Sequence, residues 1–153
     1  MDRTINQVKK DLQEIATQHL QINDFFWGSF FDAVQRDAVN YPLMVCTLQP
    51  SGSGDHYVNV TLNLTLADKY NQDDYDNIDE IHSDLLRVFR DIWTTLKQYK
   101  FEEYLEIDGD SSDTPFINET PDMTAGWTHS LTLKIFDEEN HCAIPYNSYD
   151  FEN

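Results

Sequence analysis

The residues whose types and spacing first raise a question of chemistry lie between Asp108 and Asp122. Counting from Asp108, carboxylates fall at positions 1, 3 and 12 (Asp108, Asp110, Glu119), with Ser112 at position 5. Those are oxygen-donor positions of a helix–loop–helix calcium site. The pattern then breaks: position 6, where the turn needs glycine, is Asp113, position 8 is Pro115, and no helical periodicity follows. A calcium loop of that kind is therefore not expected. The histidines His19, His56, His82, His129 and His141 are scattered, and no pair has zinc-ligand spacing. No nucleophile elbow frames a serine. A small enzyme would have to gather distant groups, of which His129, Asp122 and Glu119 are the candidates. The expectation is a protein with no catalytic residue, cofactor or metal.

The acidic segment belongs to a wider imbalance. The 153 residues carry 28 Asp and Glu against 10 Lys and Arg, a net charge of -18. From Lys100 onward the count is 13 against 2. Such a charge opposes binding to DNA, RNA or an anionic membrane. It serves solubility, or it makes a surface that meets a basic partner or slides past nucleic acid. A hydrophobic fraction of 40% and an aromatic fraction of 13% argue for one folded domain. Cys46 and Cys142 both fall in strand-like segments. Two cysteines make no disulfide framework, so buried thiols in a reducing cytosol are expected. There is no signal-peptide pattern and no apolar run near 18 residues, so no membrane association is expected.

The elements that must position these groups follow from periodicity. Ile5, Val8, Leu12, Ile15 and Ile22 form one apolar stripe on a helix from about Thr4 to Leu20, with Thr4 and Gln7 as its capping box. The run Asp24 to Phe31 packs five aromatics into seven residues from Phe25, with neither a strand nor a helix period. It reads as a core-plugging connector or as an exposed patch for another subunit. Leu43 to Leu48 is a strand, and Pro50 to Gly54 reads as a hairpin loop. In the next strand Val58, Val60, Leu62, Leu64 and Leu66 face one way, and Asn59, Thr61, Asn63 and Thr65 the other. That polar face carries no charge, which suits close contact with another protein surface. Asn77 and Glu80 read as the cap of a long helix whose buried face runs from Ile78 to Tyr99. Tyr104 to Asp108 is a short strand, Gly109 to Met123 a long acidic loop, and about Gly126 to Phe136 the last strand. The expected fold is α+β: a mostly antiparallel sheet of about four strands with two packed helices, in one domain over residues 1–145. A flexible tail, 146–153, follows.

This order resembles the tail-terminator and neck proteins of tailed bacteriophages, in particular the ring proteins of crAss-like phages of gut Bacteroidetes. The resemblance rests on His19-Leu-Gln-Ile-Asn23, Trp27-Gly28, Tyr41-Pro42, Leu66-Ala-Asp68, Ser83-Asp84 and Arg90-Asp91-Ile92. It continues with Pro115-Phe116, Asp122, Ala125-Gly126-Trp127 and Cys142-Ala-Ile-Pro145, and so covers residues 4 to 145. Each piece is short, and their order carries the weight. It implies a tail-terminator-like fold and a non-enzymatic virion protein, assembled in the host cytoplasm as a homo-oligomeric ring. Its partners would be neighbouring portal, neck or tail proteins, with DNA passing through the channel and no sequence-specific nucleic-acid contact. Carboxylates facing such a channel repel phosphate and offer DNA no sticking point. On this reading Phe25, Phe26, Trp27, Phe30, Phe31 and Trp127 form the subunit interface. Asp108, Asp110, Asp113, Glu119 and Asp122 then face the channel or a basic partner. The rival is a monomeric acidic interaction module, an adaptor or a nucleic-acid-mimicking inhibitor.

Overall fold

A computed structural model describes residues 5–71, 73, 75–98, 105–119, 122–137 and 144–148. In chain order the elements are α1 (Ile5–Gln18), β1 (Asp24–Trp27), α2 (Phe30–Val34), β2 (Leu43–Leu48), β3 (Gly52–Gly54) and β4 (Tyr57–Lys69). They continue with α3 (Tyr75–Gln98), β5 (Leu105–Ile107), β6 (Ser112–Asn118) and β7 (Thr124–Phe136). The protein is α+β with one mixed sheet. Its strands run β1-β2-β4-β7-β5, with β3 also beside β4 and β6 also beside β7. The expected sheet of about four mostly antiparallel strands with two helices is thereby corrected. Among the described residues there are seven strands and three helices, and β1 pairs parallel to β2.

The added strands have identifiable physical sources. In β1, Phe25 and Trp27 reach the main core while Phe26 joins a smaller one, so the aromatic run alternates like any strand. Strand β3 continues β2 across a bulge. Leu48 opposes Leu62 and Gly52 opposes Asn59, so three residues of one strand face two of the other. The turn is therefore Asp55-His56, with His56 at φ 64°, and not the expected Pro50–Gly54 loop. Strand β6 likewise continues β5. Ile107 opposes Leu133 and Ser112 opposes Ser130, so residues 108–111 face only 131 and 132. Gly109, at φ 76°, takes the left-handed conformation this excursion needs. Within the expected Gly109–Met123 loop, Ser112–Asn118 is thus a strand.

Alternation along β4 and β7 divides the sheet into two faces. Val60, Leu62, Leu64 and Leu66 of β4 and Leu131, Leu133 and Ile135 of β7 are buried against α1 and α3. Helix α1 contributes Val8, Leu12, Ile15 and Ala16, its spacing of three and four placing them on one side. Thr4 of the expected capping box lies outside the described residues. Helix α3 contributes Ile78, Ile81, Leu85, Val88, Phe89, Ile92 and Leu96. It begins at Tyr75, so Asn77 is already helical and does not cap it. The Asn77 carboxamide oxygen instead accepts the Asn71 backbone N–H at 3.0 Å. On the opposite face, α2 covers one end with Ala33 and Val34 over Leu43 and Val45. Burying each such aliphatic side chain is worth about 1.5–3 kcal/mol relative to leaving it in water. Cys46 is buried, and burial pushes its thiol far up; Cys142 lies outside the described residues.

Candidate functional site

The strand registers assemble a polar surface that no single strand displays. On the face opposite α1 and α3, Val45, Thr65, Thr128 and Thr114 stand abreast across β2, β4, β7 and β6. The next row is Thr47, Asn63, Ser130 and Ser112. Beyond it come Thr61 beside Thr132, and then Asn59 beside Lys134 and Glu106. Cross-strand hydroxyl contacts tie the rows: Thr61 and Thr132 Oγ1 are 3.0 Å apart, and Thr65 and Thr128 Oγ1 are 3.4 Å apart. Most of these side chains are partly exposed, Ser112 and Thr114 are exposed, and Val45 and Thr65 are buried. The first three rows hold no charged side chain, whereas the chain carries -18 in all. At the margin Lys134 lies 4.6 Å over the Tyr57 ring, and the Asn59 carboxamide oxygen is buried without a hydrogen-bond partner among the described residues.

The second cluster lies on the helix side. His129 opposes Asp113 in the β6·β7 register, and its Nδ1 sits 2.7 Å from the Asp113 carboxylate. Ser111 Oγ donates to the same carboxylate oxygen at 2.8 Å. The His129 ring is wholly buried and stacks on Phe89 at 3.5 Å between centroids, 6° from parallel. Its Nε2 is buried with no partner among the described residues. A neutral imidazole donating from Nδ1 to Asp113 fits this geometry. The pair ties β6 to β7, and the stacked Phe89 ring ties both to α3. The rival enzyme site does not form: Asp122 accepts the Tyr41 hydroxyl at 2.6 Å, and Glu119 is exposed beyond the end of β6. Sequence reading missed Asp113 as the partner of His129 because the pairing exists only once β6 is a strand.

Burial pulls His129 below its ordinary value of 6.5, and the Asp113 contact only partly restores it. Burial raises Asp113, but hydrogen bonds from His129 and Ser111 and the nearby Arg90 charge outweigh it, leaving the carboxyl below its ordinary 3.8. Both depressed values act in one direction. The His129 contribution to stability is complete above about pH 6.5 and falls away below it, as the unfolded chain takes up the proton first. The Asp113 contribution falls away below about pH 3.8. Urea midpoints measured from about pH 7 down to 5 should therefore fall. The His129→Leu variant should show a flatter dependence, and an identical slope in both proteins would refute the assignment.

The expected interface aromatics divide by strand alternation. Phe25 and Trp27 pack on the main core, and Phe26 and Phe30 on the smaller one, with Phe30 edge-on to Phe116 at 5.6 Å. Trp127 is partly buried and donates from its indole N–H to the His82 carbonyl at 2.7 Å. Phe31, 65% exposed, is the member of the six that projects into solvent. Of the expected acidic surface, Asp108, Asp110 and Asp113 follow the β5–β6 edge, whereas Asp122 is drawn to Tyr41. Among the described residues, no group of three or more His, Cys, Asp or Glu is arranged to hold a metal. Two depressions open to solvent. One of about 540 Å³ is lined by Asn23, Val39, Asn40, Tyr41 and Lys69, and one of about 240 Å³ by residues including Asp68 and Asp84. No protein-family model and no curated protein matches the chain.

Proposed function

We propose that this protein is a structural ring subunit of a phage neck or tail end, joining head to tail around the DNA channel. The observation that carries the reading is the uncharged Ser/Thr/Asn face of the sheet. Copies carrying -18 each repel one another wherever their carboxylates approach. Close packing between identical subunits therefore favours surface from which charge is missing and on which short side chains let backbones approach. The rows around Asn63, Ser130 and Thr132 have both properties. The acidic remainder suits a channel through which DNA slides without adhering. The order of short motifs from His19 to Pro145 adds weight from the sequence.

Light scattering across a concentration series should give a closed oligomer of defined mass. Placing Asp at Ser130 and Thr132 sets like charges against each other across the contact, which costs several kcal/mol. The midpoint of assembly should then rise by more than about tenfold in concentration, with the circular dichroism spectrum unchanged. Assembly that is indifferent to both aspartates would overturn the assignment of this face. A wild-type monomer at every concentration that captures a basic protein would favour an acidic interaction module instead.

A further inference from the structure

Strand alternation turns Asp68 and Lys69 to opposite sides of the sheet. The Lys69 ammonium lies 5.3 Å over the Tyr41 ring, whereas Asp68 faces α3 and shares the depression of about 240 Å³ with Asp84. Among the described residues no cation stands within ion-pair distance of either carboxylate, Arg87 one turn further along α3 included. Asp68 accepts the Lys69 backbone N–H at 2.8 Å. Burial pushes its carboxyl above the ordinary 3.8 against that hydrogen bond, and the Asp84 charge adds to the rise. Two like charges therefore line one hollow without a counter-charge. Ile81, Leu85 and Val88 of α3 give the hollow an apolar wall, and Gln21 and Asn23 join it from the turn between α1 and β1. That turn is pinned. His19 Nδ1 accepts the Gln21 N–H at 3.1 Å, so the proton sits on Nε2, which donates to Asp91 at 2.9 Å. Asn23 donates its backbone N–H to the Pro42 carbonyl at 2.9 Å and its carboxamide nitrogen to the Tyr41 carbonyl at 2.7 Å. Its carboxamide oxygen is left as an acceptor beside the two carboxylates.

We propose that this hollow receives the side chain of an arginine presented by a basic partner protein. The aliphatic stem lies along Ile81, Leu85 and Val88, and the guanidinium donates to Asp68 and Asp84. Small-molecule sites commonly run to about 300–1,000 Å³, so a hollow of about 240 Å³ suits one side chain rather than a cofactor. Arginine brings an apolar stem and five donors with no acceptor, which matches an apolar wall beside groups that accept. Its planar fork meets carboxylates bidentately and is more weakly hydrated than an ammonium, which favours it over lysine. A divalent cation is a poorer match, since it takes about six or more oxygens and three aliphatic side chains offer it none. The net charge of -18 draws a basic partner and repels a second copy of this chain. The hollow lies on the helix side of the sheet, away from the uncharged face, and does not depend on the ring reading.

NMR titration of the wild-type chain with N-acetyl-L-arginine amide at millimolar concentrations tests it. Saturable shifts should appear at the methyl groups of Ile81, Leu85 and Val88 and at the amides of Gln21 and Asn23. N-acetyl-L-citrulline amide has the same stem and an uncharged urea, and it should bind at least about tenfold more weakly, the loss of one charge-assisted contact. Asp68→Asn with Asp84→Asn should weaken the arginine probe by a similar factor. Asp68→Asn alone should unfold at the wild-type temperature or higher, because the amide still accepts the Lys69 N–H and one of two like charges is gone. A carboxylate kept for the fold would instead lose stability on that change, which would overturn the proposal. Citrulline binding as tightly as arginine, or arginine shifts absent from the hollow, would also overturn it. So would calcium chloride that moves the same resonances and displaces the arginine probe. If arginine binds here while aspartates at Ser130 and Thr132 leave assembly unchanged, the ring reading falls alone. If those aspartates block assembly and the probe finds no site, this inference falls alone.

Discussion

Gly126→Ala is expected to destabilise the protein by about 3–5 kcal/mol, among the largest effects of any single methyl group here. A Cβ at Gly126 would overlap the Leu66 carbonyl oxygen and stand 2.9 Å from its carbon and 3.0 Å from the Ala67 Cα. These are backbone atoms of β4, held by thirteen residue pairs of the β4·β7 ladder. No side-chain rotation can relieve the overlap, so the ladder itself must shift, and Phe116 of β6 sits on the other side of Gly126 in register. For a chain of this size the loss corresponds to a fall in Tm of roughly 10 °C. Thermal unfolding followed by circular dichroism reads it directly. A change of less than about 2 °C would mean that β7 does not approach β4 this closely at Gly126.

Phe89→Ala is expected to cost about 3–5 kcal/mol through the cavity it leaves in the main core. Phe89 is 1% exposed and contacts two rings, stacking on His129 and tilting against Trp93 at 6.0 Å. The same substitution has a second signature. Removing the stacked ring lets water reach Nε2 of His129, which relieves the burial that holds this imidazole down. The His129 titration, followed by NMR, should therefore move up toward its ordinary range in the variant. A pure packing role for Phe89 would lower stability and leave that titration in place, so the two measurements separate the cavity from the electrostatic effect. Trp93 in turn has Arg90 and Lys97 over its ring, at 5.9 and 5.7 Å.

Much of the frame was legible because each long element carries its period in its own residues. The β4 alternation appears in the structure with Val60, Leu62, Leu64 and Leu66 buried and Val58 partly so; on the other side Asn59, Thr61 and Asn63 are partly exposed, while Thr65 is buried. The three- and four-residue stripes are buried from Val8 to Ile15 of α1 and from Ile78 to Leu96 of α3, whereas Ile5, expected on the same stripe, is exposed at the start of α1 and Tyr99 lies outside the described residues. Strands β1, β3 and β6 were not legible, and for one physical reason. Among the described residues each pairs with a single neighbour, so what makes it a strand is the ladder that this neighbour supplies rather than a long apolar alternation of its own. Ser112 to Asn118 reads as a turn-rich acidic stretch until β7 supplies the ladder.

The candidate sites divide along the same line. That β4 has an uncharged polar side was determined by the order of residues alone, since periodicity within one element fixes which residues share a face. That Thr65, Thr128 and Thr114 stand in one row, that Asp113 rather than Asp122 meets His129, and that Phe31 rather than Trp27 projects into solvent was decided by tertiary structure. Each of these depends on strand register. A shift of one residue turns every side chain of a strand to the opposite face, and register is set by bulges, turns and burial summed over the whole sheet.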